Sequence, residues 1–323
     1  MPKEGLEFRA IEVEGMPRAL SLALPRFGWR LAKGYRQSGR IISEFGPQVV
    51  VGMGGFVAAP VVAAAWRKRV PILIHEQNSV VGVTNRWAGK IADAIAVTYP
   101  GTESAFPSGR ARVVGNPVRR RVLGAAEHGA RARFGLEEGR KTLLVFGGSR
   151  GAQRINDAVL DGLGSMGSEA WLQILHVAGK MDFARVRKAV QALGLEGSGL
   201  LYRCVPYIDE MGAAYAASDV VVSRAGATTI AEVTALGIPS ILVPYPFATA
   251  NHQETNARYV ERAGGARVIA NDDLNGATLF GAATGILRDE RRLASMRTGA
   301  TSFGRPQAAA ELADMVVDLM EGN

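Results

Sequence analysis

Asp219-Val220-Val221-Val222-Ser223-Arg224-Ala225-Gly226-Ala227-Thr228-Thr229-Ile230-Ala231-Glu232 decides how this chain folds. The valine run predicts a strand over 219–223, buried on both faces. The small residues over 225–228 predict a tight turn, and a helix follows over 229–236. Strand, turn and helix make one βα step of a parallel sheet. Thr228 and Thr229 then sit at a helix start, where backbone amides and the helix dipole favour an anion such as a diphosphate. Glu232 falls one turn further in, where a carboxylate can accept two hydrogen bonds from a ribose diol. The same spacing also fits a capping box between Thr229 and Glu232.

The step repeats in both directions. Upstream, a strand over 142–146 leads into Gly147-Gly148-Ser149-Arg150-Gly151 and a helix over 152–163. Glycine lets the backbone approach an anion closely. The spacing is neither G-x-G-x-x-G nor a Walker A loop, and a plain structural turn fits it equally. Strands over 172–177, 200–204 and 240–243 alternate with helices over 183–193, 211–218 and 253–263. An earlier series has a strand over 6–13, a helical pattern over 16–45 broken near Pro25, and a strand over 48–51. Met53-Gly54-Gly55 and a helix through Ala65 come next, then strands over 70–75 and 94–97 around a helix over 83–91. Val113 and Val114 close this series before Gly115-Asn116-Pro117. An amphipathic helix over 306–320 ends the chain.

Two such arrays predict an α/β protein with two doubly wound parallel sheets, over 1–120 and 142–305. The charged segment 121–141 reads as the linker. Ligands of such folds bind outside the carboxyl ends of the strands, and here the cleft between the sheets is the expected place.

Composition bounds the rest. The 323 residues are 47% apolar and 21% charged, which excludes a disordered chain. A single cysteine, Cys204, excludes a disulfide framework and a thiolate zinc cluster. No Asp-x-Asp and no metal-spaced His/Cys/Asp cluster occurs, so no metal or other cofactor is expected; helix dipoles and arginine would neutralise a diphosphate. No secretory signal pattern opens the chain. Residues 49–66 carry no charge, but Gly52, Gly54, Gly55 and Pro60 make them a strand, a turn and a helix start rather than a membrane span. The net charge of +8 is one-sided: residues 1–123 hold 18 Lys and Arg against 8 Asp and Glu, and the remainder 20 against 22. An anionic surface is the implied partner of the first half.

Three further runs are candidates. His75-Glu76-Gln77-Asn78 sets four polar residues at the end of a buried strand, which means a ligand cleft or an internally bonded strand end. Residues 247–256 form a polar loop with His252 and Gln253, fit for sugar hydroxyls or for solvent. Residues 15–43 contain Arg18, Arg26, Arg30, Lys33, Arg36 and Arg40, no acid, and interleaved Phe27, Trp29, Leu31 and Tyr35. That pattern suits a membrane surface, or a solvated helix packed by its apolar stripe. Nucleic acid is not expected, because no recognised binding motif accompanies the charge.

Taken in order, Val51-Gly52-Met53-Gly54-Gly55-Phe56, His75-Glu76-Gln77-Asn78, Val114-Gly115-Asn116-Pro117-Val118-Arg119, Gly147-Gly148-Ser149-Arg150-Gly151-Ala152, the Ser223 to Glu232 run and His252-Gln253 resemble the MurG family of glycosyltransferases, glycosyltransferase family 28. The resemblance spans nearly the whole chain. It implies a GT-B fold and transfer of N-acetylglucosamine (GlcNAc) from UDP-GlcNAc to the 4-hydroxyl of N-acetylmuramic acid (MurNAc) in undecaprenyl-linked lipid I, giving lipid II. It implies that Arg119 and Ser149 meet the diphosphate and that the Ile208 backbone holds uracil. Ala227, Thr228 and Thr229, with Ile230 and Ala231, would line the phosphates. Glu232 would bind ribose, Gln253 the GlcNAc hydroxyls, and Asn78 would lie near the transferred sugar. It also implies a peripheral protein at the cytoplasmic face of the membrane, docked through Arg26, Phe27, Trp29, Arg30, Lys33, Trp66 and Lys90. The closing helix over 306–321 would complete the first domain.

The pattern departs at the amino end. The family's Gly-Gly-Thr-Gly-Gly-His loop, whose histidine is the proposed base, has no counterpart here. The expectation is a first domain short of at least one strand–loop–helix unit, roughly 30 residues for a βαβ. His75, His128, His176 and His252 do not sit in such a loop, so no residue is assigned as catalytic base. Weak donor binding with poor turnover is the expected behaviour. A transferase acting on another lipid, or a non-catalytic UDP-sugar-binding remnant at the membrane, are the alternatives.

Overall fold

Apolar runs such as Val220-Val221-Val222 and Leu143-Leu144-Val145 bury both faces of their strands, which requires helices on either side of the sheet. A computed structural model describes residues 5–15, 24–125, 128–148, 152–195 and 197–322. The chain divides into two units, Met1–Gly115 with Ala310–Asn323, and Asn116–Ala309.

The first unit opens with α1 (Leu24–Phe45), followed by β1 (Val50–Gly52), α2 (Gly55–Arg67), β2 (Ile72–Glu76), α3 (Val83–Ala88), β3 (Ala94–Val97) and β4 (Ala111–Val113). The strands form one parallel sheet in the order β1-β2-β3-β4. Val62, Ala65, Ile72, Ile74, Ile95 and Val97 fill its core.

One expectation fails here. Residues 6–13 form no strand. Their charged positions find partners on α1 instead: Arg9 pairs with Glu44 at 2.6 Å, and the Glu12 amide donates to Gln37 at 2.8 Å. Leu6 and Phe8 stay exposed, so no buried face holds the segment in a ladder. Pro25 is the second residue of α1 as its described range runs. Residues 16–23 of the expected helix lie outside the described residues.

In the second unit come α4 (Arg120–Leu123), α5 (Ala130–Arg133), β5 (Lys141–Phe146), α6 (Gln153–Leu163), β6 (Leu172–Val177), α7 (Phe183–Ala192) and β7 (Leu201–Val205). Then follow α8 (Met211–Ala216), β8 (Val220–Ser223), α9 (Ala227–Ala235), β9 (Ser240–Leu242), α10 (His252–Arg262), β10 (Ala266–Val268), α11 (Gly276–Leu287) and α12 (Glu290–Phe303). The last helix, α13 (Ala308–Glu321), ends among residues that group with the first unit. The six strands are parallel, in the order β10-β9-β8-β5-β6-β7.

The segment 121–141, expected as a linker, is part of this unit's fabric. It carries α5 and most of α4, and Val122, Ala130 and Leu136 are buried in the core with Leu144, Tyr215 and Val221. The elements β10, α11 and α12 were not anticipated. α11 (GATLFGAATGIL) is apolar nearly all round, so it lacks the one-sided periodicity that announces a surface helix. It packs on α6 through glycines: a Cβ on Gly276 would collide with the Gly162 backbone.

Candidate functional site

The strand order fixes where a ligand fits. The chain runs β5-β6-β7 one way, then crosses back to lay down β8-β9-β10 on the other side of β5. β5 and β8 are therefore the neighbours at which the winding reverses, and the space outside their carboxyl ends is left uncovered. A cavity of about 700 Å³ opens there. Its lining comes from the segments after four strands: Gly147 and Gly148 after β5, Arg224, Gly226 and Thr229 after β8, Tyr245, Pro246, Phe247 and Gln253 after β9, and Asn271 after β10.

Two helix starts point into this cavity's wall. α9 begins at Ala227, with Gly226 extended at φ −70° and ψ 143° and no side-chain cap. Its first helical hydrogen bond runs from Ile230 N to Gly226 O, 3.0 Å, so the amides of Ala227, Thr228 and Thr229 precede the ladder. α6 likewise has no side-chain cap, and Ala152, Gln153 and Arg154 line the cavity. Gly148 has φ +92°, a conformation that needs glycine. Ser149, expected on this loop, lies outside the described residues.

Thr229 is the third residue of α9 and not its cap, because the helix starts two residues earlier than the spacing suggested. The Glu232 carboxylate is used elsewhere. It is buried, accepts the Tyr215 hydroxyl on Oε2 at 2.9 Å, and meets Arg119 Nη2 on Oε1 at 3.3 Å. The capping-box reading is thereby excluded. Arg119 also lines a second cavity, about 310 Å³, with Arg121, His128 and Arg133. Ile208 is buried in the core cluster that also holds Tyr215. Ile230 is buried, Ala231 half-buried and Thr228 exposed.

Arg224, Tyr245 and Asn271 were not singled out from the sequence. The Arg224 guanidinium donates to Val243 O, Pro244 O and Asn271 Oδ1 at 3.2, 3.0 and 2.9 Å, and lies over the Tyr245 ring. Burial pulls its pKa below the ordinary value. It places a fixed cation on the cavity wall, next to the turn that opens α9. Its position directly after the β8 strand was the available signal. Gln253 Oε1 accepts the Tyr245 amide at 3.0 Å, which leaves its NH₂ as donor.

In the first unit, His75 and Glu76 fit the internally bonded strand end rather than a ligand cleft. His75 Nε2 lies 2.8 Å from Gly115 O, and burial lowers its pKa. Glu76 accepts from the Asn78 and Gly82 amides and from Asn85 Nδ2, at 3.0, 3.0 and 2.9 Å. Gln77 and Asn78 are half-buried at the carboxyl end of β2.

The basic run is less bare than its sequence suggests. Arg26 and Arg30 both reach Glu14, at 3.2 and 2.6 Å, and Lys33 reaches Glu12 at 2.7 Å. Lys33 also lies over the Trp29 ring, and Trp29, Leu31, Tyr35 and Trp66 are exposed, while Phe27 is half-buried. Arg36 and Arg40 make no ion pair among the described residues. Lys90 is exposed after α3.

Two parallel-sheet units in one chain fit the GT-B fold, and two uncapped helix starts at the second sheet's switch point suit a phosphate group. The family models agree: "Glycosyltransferase family 28 C-terminal domain" matches residues 142–312, and "Glycosyltransferase family 28 N-terminal domain" matches 1–97. The UDP-N-acetylglucosamine--N-acetylmuramyl-(pentapeptide) pyrophosphoryl-undecaprenol N-acetylglucosamine transferase of Listeria welshimeri is 41% identical, over 99% of this chain and 87% of its own. The Bacillus subtilis protein of the same name is 38% identical, over 98% and 86%. The crystal structure of Acinetobacter baumannii MurG superposes with a TM-score of 0.77 at 26% identity, covering 98% of this chain and 86% of that one. The UDP-GlcNAc 2-epimerase of Neisseria meningitidis shares the fold, at 0.64 and 13% identity, over 94% and 84%. The chain belongs to glycosyltransferase family 28.

Proposed function

We propose that this chain transfers GlcNAc from UDP-GlcNAc to the 4-hydroxyl of MurNAc in undecaprenyl-linked lipid I, forming lipid II for peptidoglycan synthesis. The observation that carries this reading is the convergence of two helix starts and Gln253 on the switch-point cavity. The pyrophosphate lies against the amides of α6 and α9, where Ala227, Thr228, Thr229 and Ser149 serve it, with Ile230 and Ala231 following them in α9. Arg119 and Glu232 serve the phosphate and ribose, the Ile208 main chain holds uracil, and Gln253 donates to GlcNAc hydroxyls. Asn78 acts on the acceptor side. The reaction is a single inverting displacement: the MurNAc oxygen bonds to C1 as the C1–O bond to UDP breaks, and the hydroxyl proton passes to a general base or to solvent. Fixed amides stabilise the departing diphosphate without reorganising during the step.

Titration calorimetry with UDP tests the donor site, and a transfer assay with UDP-GlcNAc and lipid I tests the reaction. Gln253→Ala is expected to raise KM for the donor. A folded protein that binds no UDP overturns the reading.

We further infer that the first unit docks on an anionic membrane as a peripheral protein at the cytoplasmic face. Exposed Trp29 and Trp66, half-buried Phe27, and Arg26, Arg30, Lys33 and Lys90 support this. No described helix is long and apolar enough to cross a membrane. Sedimentation with phosphatidylglycerol vesicles tests it, and no binding contradicts it.

A further inference from the structure

The switch-point cavity has one apolar wall. Among the described residues that line it, Tyr245 and Phe247 alone are aromatic, and apart from Pro246 between them the rest are small or polar. Both rings are exposed, Phe247 at 79%. A single exposed phenylalanine is ordinary on a protein surface. An aromatic pair among the polar groups of a cavity marks the place where a ligand is apolar.

The pair is held in place by its loop. The Tyr245 amide donates to Gln253 Oε1 at 3.0 Å, and the Arg224 guanidinium lies over the Tyr245 ring, 5.6 Å from its centroid. Ala248 N donates to Tyr245 O at 3.1 Å, and Asn251 N to Ala248 O at 2.9 Å. Ala250 and Asn251 are both left-handed, with φ of +51° and +53°, a conformation that alanine disfavours. The Tyr245 and Phe247 rings meet edge to face at 71°, with centroids 5.6 Å apart. Rings at that angle form a corner. A flat ring face would suit the C–H face of a hexose, whereas a corner suits a compact apolar group such as a methyl.

On the donor reading, uracil belongs at Ile208, which does not line this cavity, and the sugar belongs at Gln253, one hydrogen bond away from Tyr245. UDP-GlcNAc carries one methyl group, that of the acetamido substituent on C2 of the sugar. We propose that the corner between Tyr245 and Phe247 receives this methyl, and that Phe247 sets the preference for a 2-acetamido sugar over a 2-hydroxy sugar. The proposal deepens the donor reading and rests on it. Phe247 acts through donor affinity and takes no part in the displacement itself.

Titration calorimetry on the full chain with UDP, UDP-glucose and UDP-GlcNAc provides the test. Phe247→Ala is expected to weaken UDP-GlcNAc binding about five-fold, less than an enclosing apolar pocket gives because the corner is open to water. Binding of UDP-glucose and of UDP should stay within about two-fold, since neither carries the methyl. Phe247→Leu keeps an apolar group at the position and should restore most of the affinity for UDP-GlcNAc. Equal weakening of UDP-GlcNAc and UDP-glucose would mean a contact with the hexose ring and overturns the acetamido assignment. Equal weakening of all three ligands would mean a disturbed loop and overturns it too, as does unchanged binding of UDP-GlcNAc. A folded wild-type chain that binds no UDP overturns the donor reading itself, and this proposal with it.

Discussion

The Tyr215 hydroxyl donates to Glu232 Oε2 at 2.9 Å, and both side chains are buried. Burial, with the adjacent carboxylate, raises the phenol pKa well above its ordinary value, so Tyr215 remains a neutral donor. The bond fixes one carboxylate oxygen and leaves the other facing Arg119. If Glu232 binds ribose, Tyr215 positions it. Tyr215→Phe keeps the ring in the core and removes the bond. It is expected to raise donor KM about three- to ten-fold with kcat within two-fold, at about 1 kcal/mol of stability. In a Glu232→Ala background the same change should add nothing to KM. Steady-state kinetics on the four proteins provide the check.

His176 makes stability depend on pH. It is fully buried on β6, with Nε2 at 2.9 Å from Asn156 Oδ1 and Nδ1 at 2.7 Å from the Tyr202 hydroxyl. Burial lowers its pKa to about 4. The unfolded chain, with an ordinary pKa near 6.5, takes up the proton first as pH falls. Stability is therefore complete above about pH 6.5 and declines toward pH 4, by up to about 3 kcal/mol from this group. Buried His75 shifts in the same direction and adds to the slope. Unfolding midpoints measured from pH 7.5 to 4.5 should fall, and His176→Gln should flatten the curve. A flat wild-type profile contradicts the assignment.

Gly276 should tolerate no side chain. A Cβ there meets the Gly162 backbone, which lies in the facing helix and cannot move aside as a flexible side chain does. Gly276→Ala is expected to cost about 1–3 kcal/mol by overpacking. Gly281, in the same helix with open space around it, should accept alanine at no cost. Chemical denaturation of the two variants checks the contrast.

Glu14 holds Arg26 and Arg30, so it competes with an anionic membrane for the same cations. Glu14→Gln is expected to strengthen binding to phosphatidylglycerol vesicles by about two- to five-fold at low salt, an effect that fades at high salt. Unchanged binding would remove these arginines from the docking face.

Much of the fold was legible because its signals are local. The valines before Ser223 and the leucines before Phe146 could only be strands buried on both faces, and the glycines after them could only be turns. What escaped depended on distance. The chemistry of Glu232 is set by Tyr215 and Arg119, and no spacing rule links positions 119, 215 and 232. Residues 6–13 alternate like a strand, yet Arg9 and Glu12 find their partners on α1, 35 and 25 residues away. Helix α11 hid because it is apolar on every side. Among the residues lining the cavity, Thr229 and Gln253 were visible from the turns they follow. Arg224 was passed over because its role comes from three acceptors contributed by the ends of β9 and β10.

The central claim is that two helix starts, those of α6 and α9, grip the pyrophosphate of the donor. A crystal structure with UDP tests it most directly. The account predicts the diphosphate in the switch-point cavity, within hydrogen-bonding distance of the Thr229 amide and beside Gly148. Diphosphate density away from both helix starts, in protein that binds UDP in solution, would contradict it.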